Sequence, residues 1–229
     1  MYPLDYLSLS HIIFTLICFI GIVLIPRLFL NQSERSKKIL LSVIVFIILI
    51  NQGMDFYREG YLDQLKLGLP LHLCDFTSFA VILYFFTKKR MYFIFAFFFG
   101  IAGGGMSLLT PDVVYGFPSV PYIQNQIGHS MILLGVTYAM IIDKQRPHFR
   151  DVYKVILFTT ALLLLMYFVN YLLGPPANYW FLAEKPIGDN VMKIMRPEPY
   201  HIIDVFILAV TVCYLMYIPY IIKDIYKKT

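Results

Sequence analysis

The sequence predicts an all-α, polytopic membrane protein: a seven-helix transmembrane bundle. Three observations carry the prediction. Mean hydropathy is +0.69 and only 14% of the residues are charged, against roughly 25% in soluble domains. Seven apolar segments approach the length of about 20 residues that a spanning helix needs: 8–30, 38–57, 70–87, 91–110, 124–142, 153–173 and 200–221. The basic residues behind the net charge of +5 sit in short clusters between these runs. That is how membrane topology distributes charge, and it argues against a nucleic-acid partner. The spans use most of the chain, so one transmembrane domain covering 1–229 is expected.

The first span opens with Ser8, Ser10 and His11 and has no basic segment before it, so it reads as a retained helix, not a cleaved signal. The second contains "ILLSVIVFIILI", the strongest apolar run, and closes with Asn51, Gln52 and Asp55. The third begins at Pro70, a residue suited to a helix's first turn; His72, Cys74 and Asp75 come directly after it. The fourth carries "FGIAGGGMSLL", where Gly100 and Gly104 form the small-residue spacing that lets another helix or a lipid chain approach. The fifth starts with Gln124, Asn125, Gln126, His129 and Ser130. The sixth ends at Asn170, and the seventh starts with His201 and Asp204.

Orientation is set by Lys and Arg. Arg27, Arg35, Lys37, Lys38, Lys88, Lys89, Arg90, Lys144, Arg146, Arg150, Lys154, Lys223, Lys227 and Lys228 fall on one side. Arg58, Lys66, Lys185, Lys193 and Arg196 fall on the other. The richer side is cytoplasmic by the positive-inside rule, which puts the N-terminus outside and the C-terminus inside a multi-pass cell-membrane protein. Tyr57, Tyr61, Tyr115, Tyr122, Tyr179, Trp180 and Tyr200 then form an outer aromatic belt.

In this orientation the polar side chains of all the spans lie at the outer third. Such groups are costly in lipid unless they face a bundle interior or a wet cavity, so an outward-facing polar cavity is expected. Helical spacing pairs Asn51 with Asp55, Asn125 and Gln126 with His129, and His201 with Asp204. A carboxylate beside a histidine could fix its tautomer or raise its pKa; the other reading of these pairs is hydrogen bonding that holds helices together.

Cys74 lies in the first helical turn of the third span, where the positive end of the dipole favours a thiolate. His72, two residues away, points elsewhere and shares a face with Asp75. The base for Cys74 must come from another helix, and His129 is at the right depth. The other reading is a small, inert buried thiol. Cys18 and Cys213 lie in apolar runs and read as inert. Three separated cysteines give neither a disulfide framework nor a zinc signature, so no metal is expected, and no motif calls for a cofactor.

"LPLHLC", "GGGMSLLTPD", "GFP", "GHSMILL" and "NYWFLAEKP" occur in this order over residues 50–200. In this the chain resembles the YwaF-like family of bacterial integral membrane proteins. More distantly it resembles the eukaryotic transmembrane protein 164 family, described as cysteine acyltransferases acting on phospholipids. The resemblance implies Cys74 as nucleophile and His129 as its partner, with membrane phospholipid as substrate. Where the eukaryotic proteins have a histidine directly after the cysteine, this chain has Asp75.

The segment 174–199 holds five prolines and no spanning run. Ordered loops of this length usually serve a function. Asn178, Tyr179 and Lys185 belong to the family motif and read as a cover for the cavity. "GDNVMKIMR" reads as a short interfacial helix, either a plain anchoring segment or one whose Lys193 and Arg196 meet lipid phosphates. Three functions are then in view. One is a lipid acyltransferase or lipid-ester hydrolase using Cys74 and His129, with Asn125, Gln126 or Ser78 as candidate oxyanion donors. The second is a transporter or lipid-binding protein without catalysis. The third is a structural or accessory subunit whose polar side chains only bond the helices together.

Overall fold

The computed structural model describes residues 3–58, 61–186 and 191–226. Among them the fold is helical: α1 (Leu9–Phe29), α2 (Glu34–Arg58), α3 (Tyr61–Gly68), α4 (Leu73–Thr87), α5 (Arg90–Phe99), a π turn (Gly100–Gly104), α6 (Gly105–Leu109), α7 (Val120–Ile141), α8 (Phe149–Leu173) and α9 (His201–Tyr226). Each of the seven predicted spans contains a helix. Five stretches are long and apolar enough to cross a membrane: α1, α2, the run Arg90–Leu109, α8 and α9. Two fall short of that standard for different reasons. α4 has 15 residues, about 22 Å at 1.5 Å per residue, less than a hydrocarbon core of about 30 Å. α7 is 22 residues long, but Gln124, Asn125, Gln126 and His129 lower its hydropathy.

α4 starts three residues later than Pro70 because the chain is drawn out of helical geometry just before it. Leu71 donates its N–H to Leu69 O (2.8 Å), and its own carbonyl accepts from Trp180 Nε1 (2.8 Å). His72 therefore precedes the helix and does not share a helical face with Asp75. Cys74 keeps its place in the first turn.

The contacts gather into two units: residues 1–54 with 73–146, and residues 55–72 with 147–229. In the first, the helices alternate in direction. Val81 of α4 packs where a Cβ on Gly135 of α7 would sit, Phe85 meets Tyr138 with ring centroids 5.4 Å apart, and Tyr84 donates to Asp143 (3.0 Å). Both helices thus advance together. α1 runs the same way, with His11 bonded to Tyr122 and Thr137 bonded to the Ile22 carbonyl. α2 runs against them, since Asn51 lies on Gly128 while the Lys37 carbonyl accepts from Tyr138.

The two ends of this unit differ in chemistry. One gathers Lys37, Lys88, Arg90 and Arg146, with Lys88 on Asp143 (2.6 Å) and Arg90 on the Arg146 carbonyl (2.9 Å). The other gathers uncharged polar groups and Asp75. The core between them is mainly aliphatic and aromatic, built from Ile44, Ile48, Val81, Phe93, Phe97 and Phe98.

The Gly-rich stretch is used for packing at one point. A Cβ on Gly100 would lie 3.2 Å from methyls of Ile132 and Val136 and 3.5 Å from Thr77, so α5 passes close to α4 and α7 here. Gly103 and Gly105 meet nothing within 4 Å. The extra residue of the π turn re-aims the chain beyond it, as such bulges do, and Ser107 faces α7.

In the second unit, α8 and α9 flank the segment after Gly174. That segment holds no amphipathic helix among its described residues. Val191–Ile194 is a single 3-10 turn, with Met192 buried and Ile194 88% exposed. Gly188, Asp189 and Asn190, along with Lys227 and Lys228, lie outside the described residues. The aromatic belt also needs correction. Tyr57, Tyr115 and Tyr200 are exposed, but Tyr122 and Tyr179 are buried and hydrogen-bonded.

Candidate functional site

α6 ends inside the first unit, and a helix end leaves carbonyls without intrahelical partners. Side chains supply them. Asn125 Nδ2 donates to Ser107 O (3.1 Å), Gln126 Nε2 and Thr15 Oγ1 both donate to Leu108 O (3.1 and 3.2 Å), and His11 Nε2 lies 3.0 Å from Leu109 O. His11 thus carries its proton on Nε2 and accepts from the Tyr122 hydroxyl on Nδ1 (2.8 Å). It is buried with both nitrogens engaged, which makes it a structural histidine. Part of the polar ring seen in the sequence is accordingly a cap for a buried helix end. Asn125 and Gln126 each give an amide hydrogen to it.

His129 is different. Its Nδ1 lies 2.9 Å from the carbonyl of Asn125, one turn earlier in α7. A carbonyl only accepts, so Nδ1 holds the proton and Nε2 holds the lone pair. Ser107 Oγ sits 3.3 Å from the same Nδ1 and donates to Asn125 Oδ1 (3.1 Å). The imidazole is half-buried, and Nε2 bonds to no described residue. One nitrogen is thus tied to an acceptor and the other is presented.

Helical register brings Cys74 to the same level. Cys74 precedes Val81 by seven residues, and Gly128 precedes Gly135 by seven. Two turns back along parallel helices, Cys74 comes level with Gly128 and His129, on the face of α4 that turns towards α7. Two contacts agree with this level. Gln52 donates to Asp75 Oδ1 (2.8 Å), and Asn51 beside it occupies the space that a side chain on Gly128 would need. The glycine of the "GHS" motif is therefore there to admit Asn51. Cys74 is half-buried and in no disulfide; Ser78, one turn on, is buried.

The remaining predicted residues fall in the second unit, where the structure gives them other work. Asp55 is half-buried in the last turn of α2. The His72 ring lies against Tyr179 and Phe181, at 5.1 and 5.8 Å between centroids. Asn170 clamps the backbone of Tyr179 from both sides, its Nδ2 donating to Tyr179 O and its Oδ1 accepting from Tyr179 N, both at 2.9 Å. The Tyr179 hydroxyl donates to Lys66 O (2.8 Å) and accepts from Leu69 N (3.1 Å). Asn178 folds its own loop, bonding Ala183, Glu184 N and Glu184 O. Lys185 Nζ donates to Met195 O.

His201 and Asp204 do not form the pair that their spacing suggested. His201 is fully buried and donates Nε2–H to the Phe181 carbonyl (2.8 Å). Asp204 takes a bidentate Arg196, whose Nη2 reaches Oδ1 at 2.6 Å and whose Nε reaches Oδ2 at 3.1 Å. Arg196 is therefore bound to protein and not, as one reading of the sequence has it, set out towards a lipid phosphate. No sequence period signals this pairing, because the two residues lie on either side of a loop–helix junction. Ser107 is a polar residue of the fourth predicted span, and its aim at His129 depends on the π turn. Among the described residues, no group of His, Cys, Asp and Glu is placed to hold a metal.

The model of the TMEM164 family matches residues 6–217 of this chain, and the protein belongs to that family. The chain has no significant match among curated proteins or solved structures.

Proposed function

We propose that this member of the TMEM164 family is a lipid acyltransferase or lipid-ester hydrolase working by thiol catalysis at its polar end. The bundle crosses the cell membrane seven times, with the N-terminus outside and the C-terminus inside. The polar end opens outward as a cavity, and we assign the chain to the bacterial YwaF-like branch of the family. The observation that carries the reading is the held imidazole of His129: Nδ1–H tied to the Asn125 carbonyl, Nε2 presented at the level of Cys74.

Those two groups set the chemistry. His129 Nε2 accepts the Cys74 thiol proton as sulfur attacks the ester carbonyl of a phospholipid, forming a carbon–sulfur bond and a tetrahedral oxyanion. The dipole at the start of α4 and the hydroxyl of Ser78 face that oxyanion. Collapse breaks the carbon–oxygen ester bond, and His129 returns the proton to the departing lysolipid oxygen. The thioester on Cys74 is then attacked by an acceptor hydroxyl or by water, which His129 deprotonates. The new ester or free acid leaves, and the proton returns to sulfur. Asn125 and Gln126, held on the end of α6, position the site and do not donate to the oxyanion.

The test is intact-mass analysis of purified protein after incubation with an activated lipid ester. The expected result is a single acyl adduct that hydroxylamine releases and that Cys74→Ala lacks. An adduct of equal yield in Cys74→Ala overturns the mechanism. Lipid flux in liposomes sustained by that same variant would instead support transport.

A further inference from the structure

At the basic end of the first unit, α2 presents a face that no other described residue of that unit covers. Arg35, Lys38, Ile39, Ser42, Val43 and Phe46 line an open cleft of about 530 Å³ along it. The spacing is helical, and all six side chains are exposed. The opposite face, Leu40, Ile44, Val45 and Ile48, is buried. The cleft is chemically graded. Two cations lie at its head, and an apolar ladder of Ile39, Val43 and Phe46 continues along the helix with the Ser42 hydroxyl beside it.

Charge bookkeeping leaves the two cations available. Glu34, the one acid in this turn, is taken by Lys37 (2.9 Å). Among the described residues, Arg35 and Lys38 have no ion-pair partner. They also sit in the first turns of a 25-residue helix, where the dipole adds positive potential.

We propose that this cleft binds an anionic phospholipid, with its phosphate between Arg35, Lys38 and Ser42 and one acyl chain along Ile39, Val43 and Phe46. The grading matches a lipid lying parallel to a spanning helix: headgroup at the basic end, chain towards the middle. An acidic peptide or soluble anion would use the cations and leave the apolar ladder unexplained. The site lies at the opposite end of the unit from Cys74 and His129, so it holds a bound lipid distinct from any substrate there. It stands whether or not the thiol chemistry does.

The experiment is native mass spectrometry of the full chain in detergent, titrated with phosphatidylglycerol or with phosphatidylcholine of the same acyl chains. Wild type is expected to retain phosphatidylglycerol preferentially. R35Q/K38Q should bind it roughly 30-fold more weakly, the product of two basic contacts at a charged surface. S42E, which puts a like charge in the cleft, should also lose it. R150Q/K154Q removes the same charge from exposed positions on α8 and should bind like wild type. The proposal is overturned if phosphatidylcholine binds as tightly, if R35Q/K38Q binds normally, or if both double variants weaken equally.

Discussion

Gly135→Ala tests the register on which the Cys74–His129 alignment rests. The added Cβ would lie 2.5 Å from Val81 Cγ1, 3.6 Å from Cγ2 and 3.5 Å from Phe85. Val81 cannot turn away, because a β-branched side chain in a helix has one strongly preferred rotamer. Ordinary van der Waals contact begins at 3.4 Å, so α4 and α7 must part by about 1 Å. Overpacking of this kind costs about 1–3 kcal/mol, and the better helix propensity of alanine returns about 1. The net expectation is a loss of about 0–2 kcal/mol, seen as an unchanged or lower midpoint of thermal unfolding in detergent. The functional loss should be larger. A displacement of 1 Å between a nucleophile and its base costs on the order of 100-fold in rate, so acyl-adduct formation on Cys74 should fall by about that factor. Val81→Ala in the same chain removes the obstructing methyls and should restore most of the rate. Gly103→Ala, with nothing within 4 Å of its new Cβ, should leave both measurements near wild type. If Gly135→Ala unfolds and acylates like wild type, the helices do not meet at Val81 and the alignment argument fails.

Two further substitutions probe the polar groups separately. His129→Gln keeps a side chain of similar reach but removes the base; acyl-adduct formation should drop by roughly 100-fold or more and its rise with pH should steepen, because thiolate then forms only by ionisation in water. Tyr179→Phe removes a buried hydroxyl and leaves the Lys66 carbonyl and the Leu69 N–H each short of a partner. A loss of about 1–3 kcal/mol in stability is expected, read as faster proteolysis of the 61–72 segment, with the Cys74 adduct still formed.

The class of protein could be read from the chain alone. Hydropathy and charge distribution reflect each residue's transfer free energy, which needs no partner, so the helical segments were legible to within a few residues. The polar positions were legible too, because a costly side chain in an apolar run stands out wherever the chain goes. What each polar group is for was decided only by tertiary structure, since a hydrogen bond is a property of two groups and the second is usually remote. His11, His129 and His201 look alike in sequence. One caps α6 with both nitrogens used, one is tied by its own helix with Nε2 presented, and one is buried against the Phe181 carbonyl. Asp204 lies a helical turn from His201, yet it goes to Arg196, because a bidentate guanidinium satisfies both carboxylate oxygens and a histidine satisfies one. The start of α4 was likewise fixed from outside, by Trp180 holding the Leu71 carbonyl at a separation that no local pattern encodes.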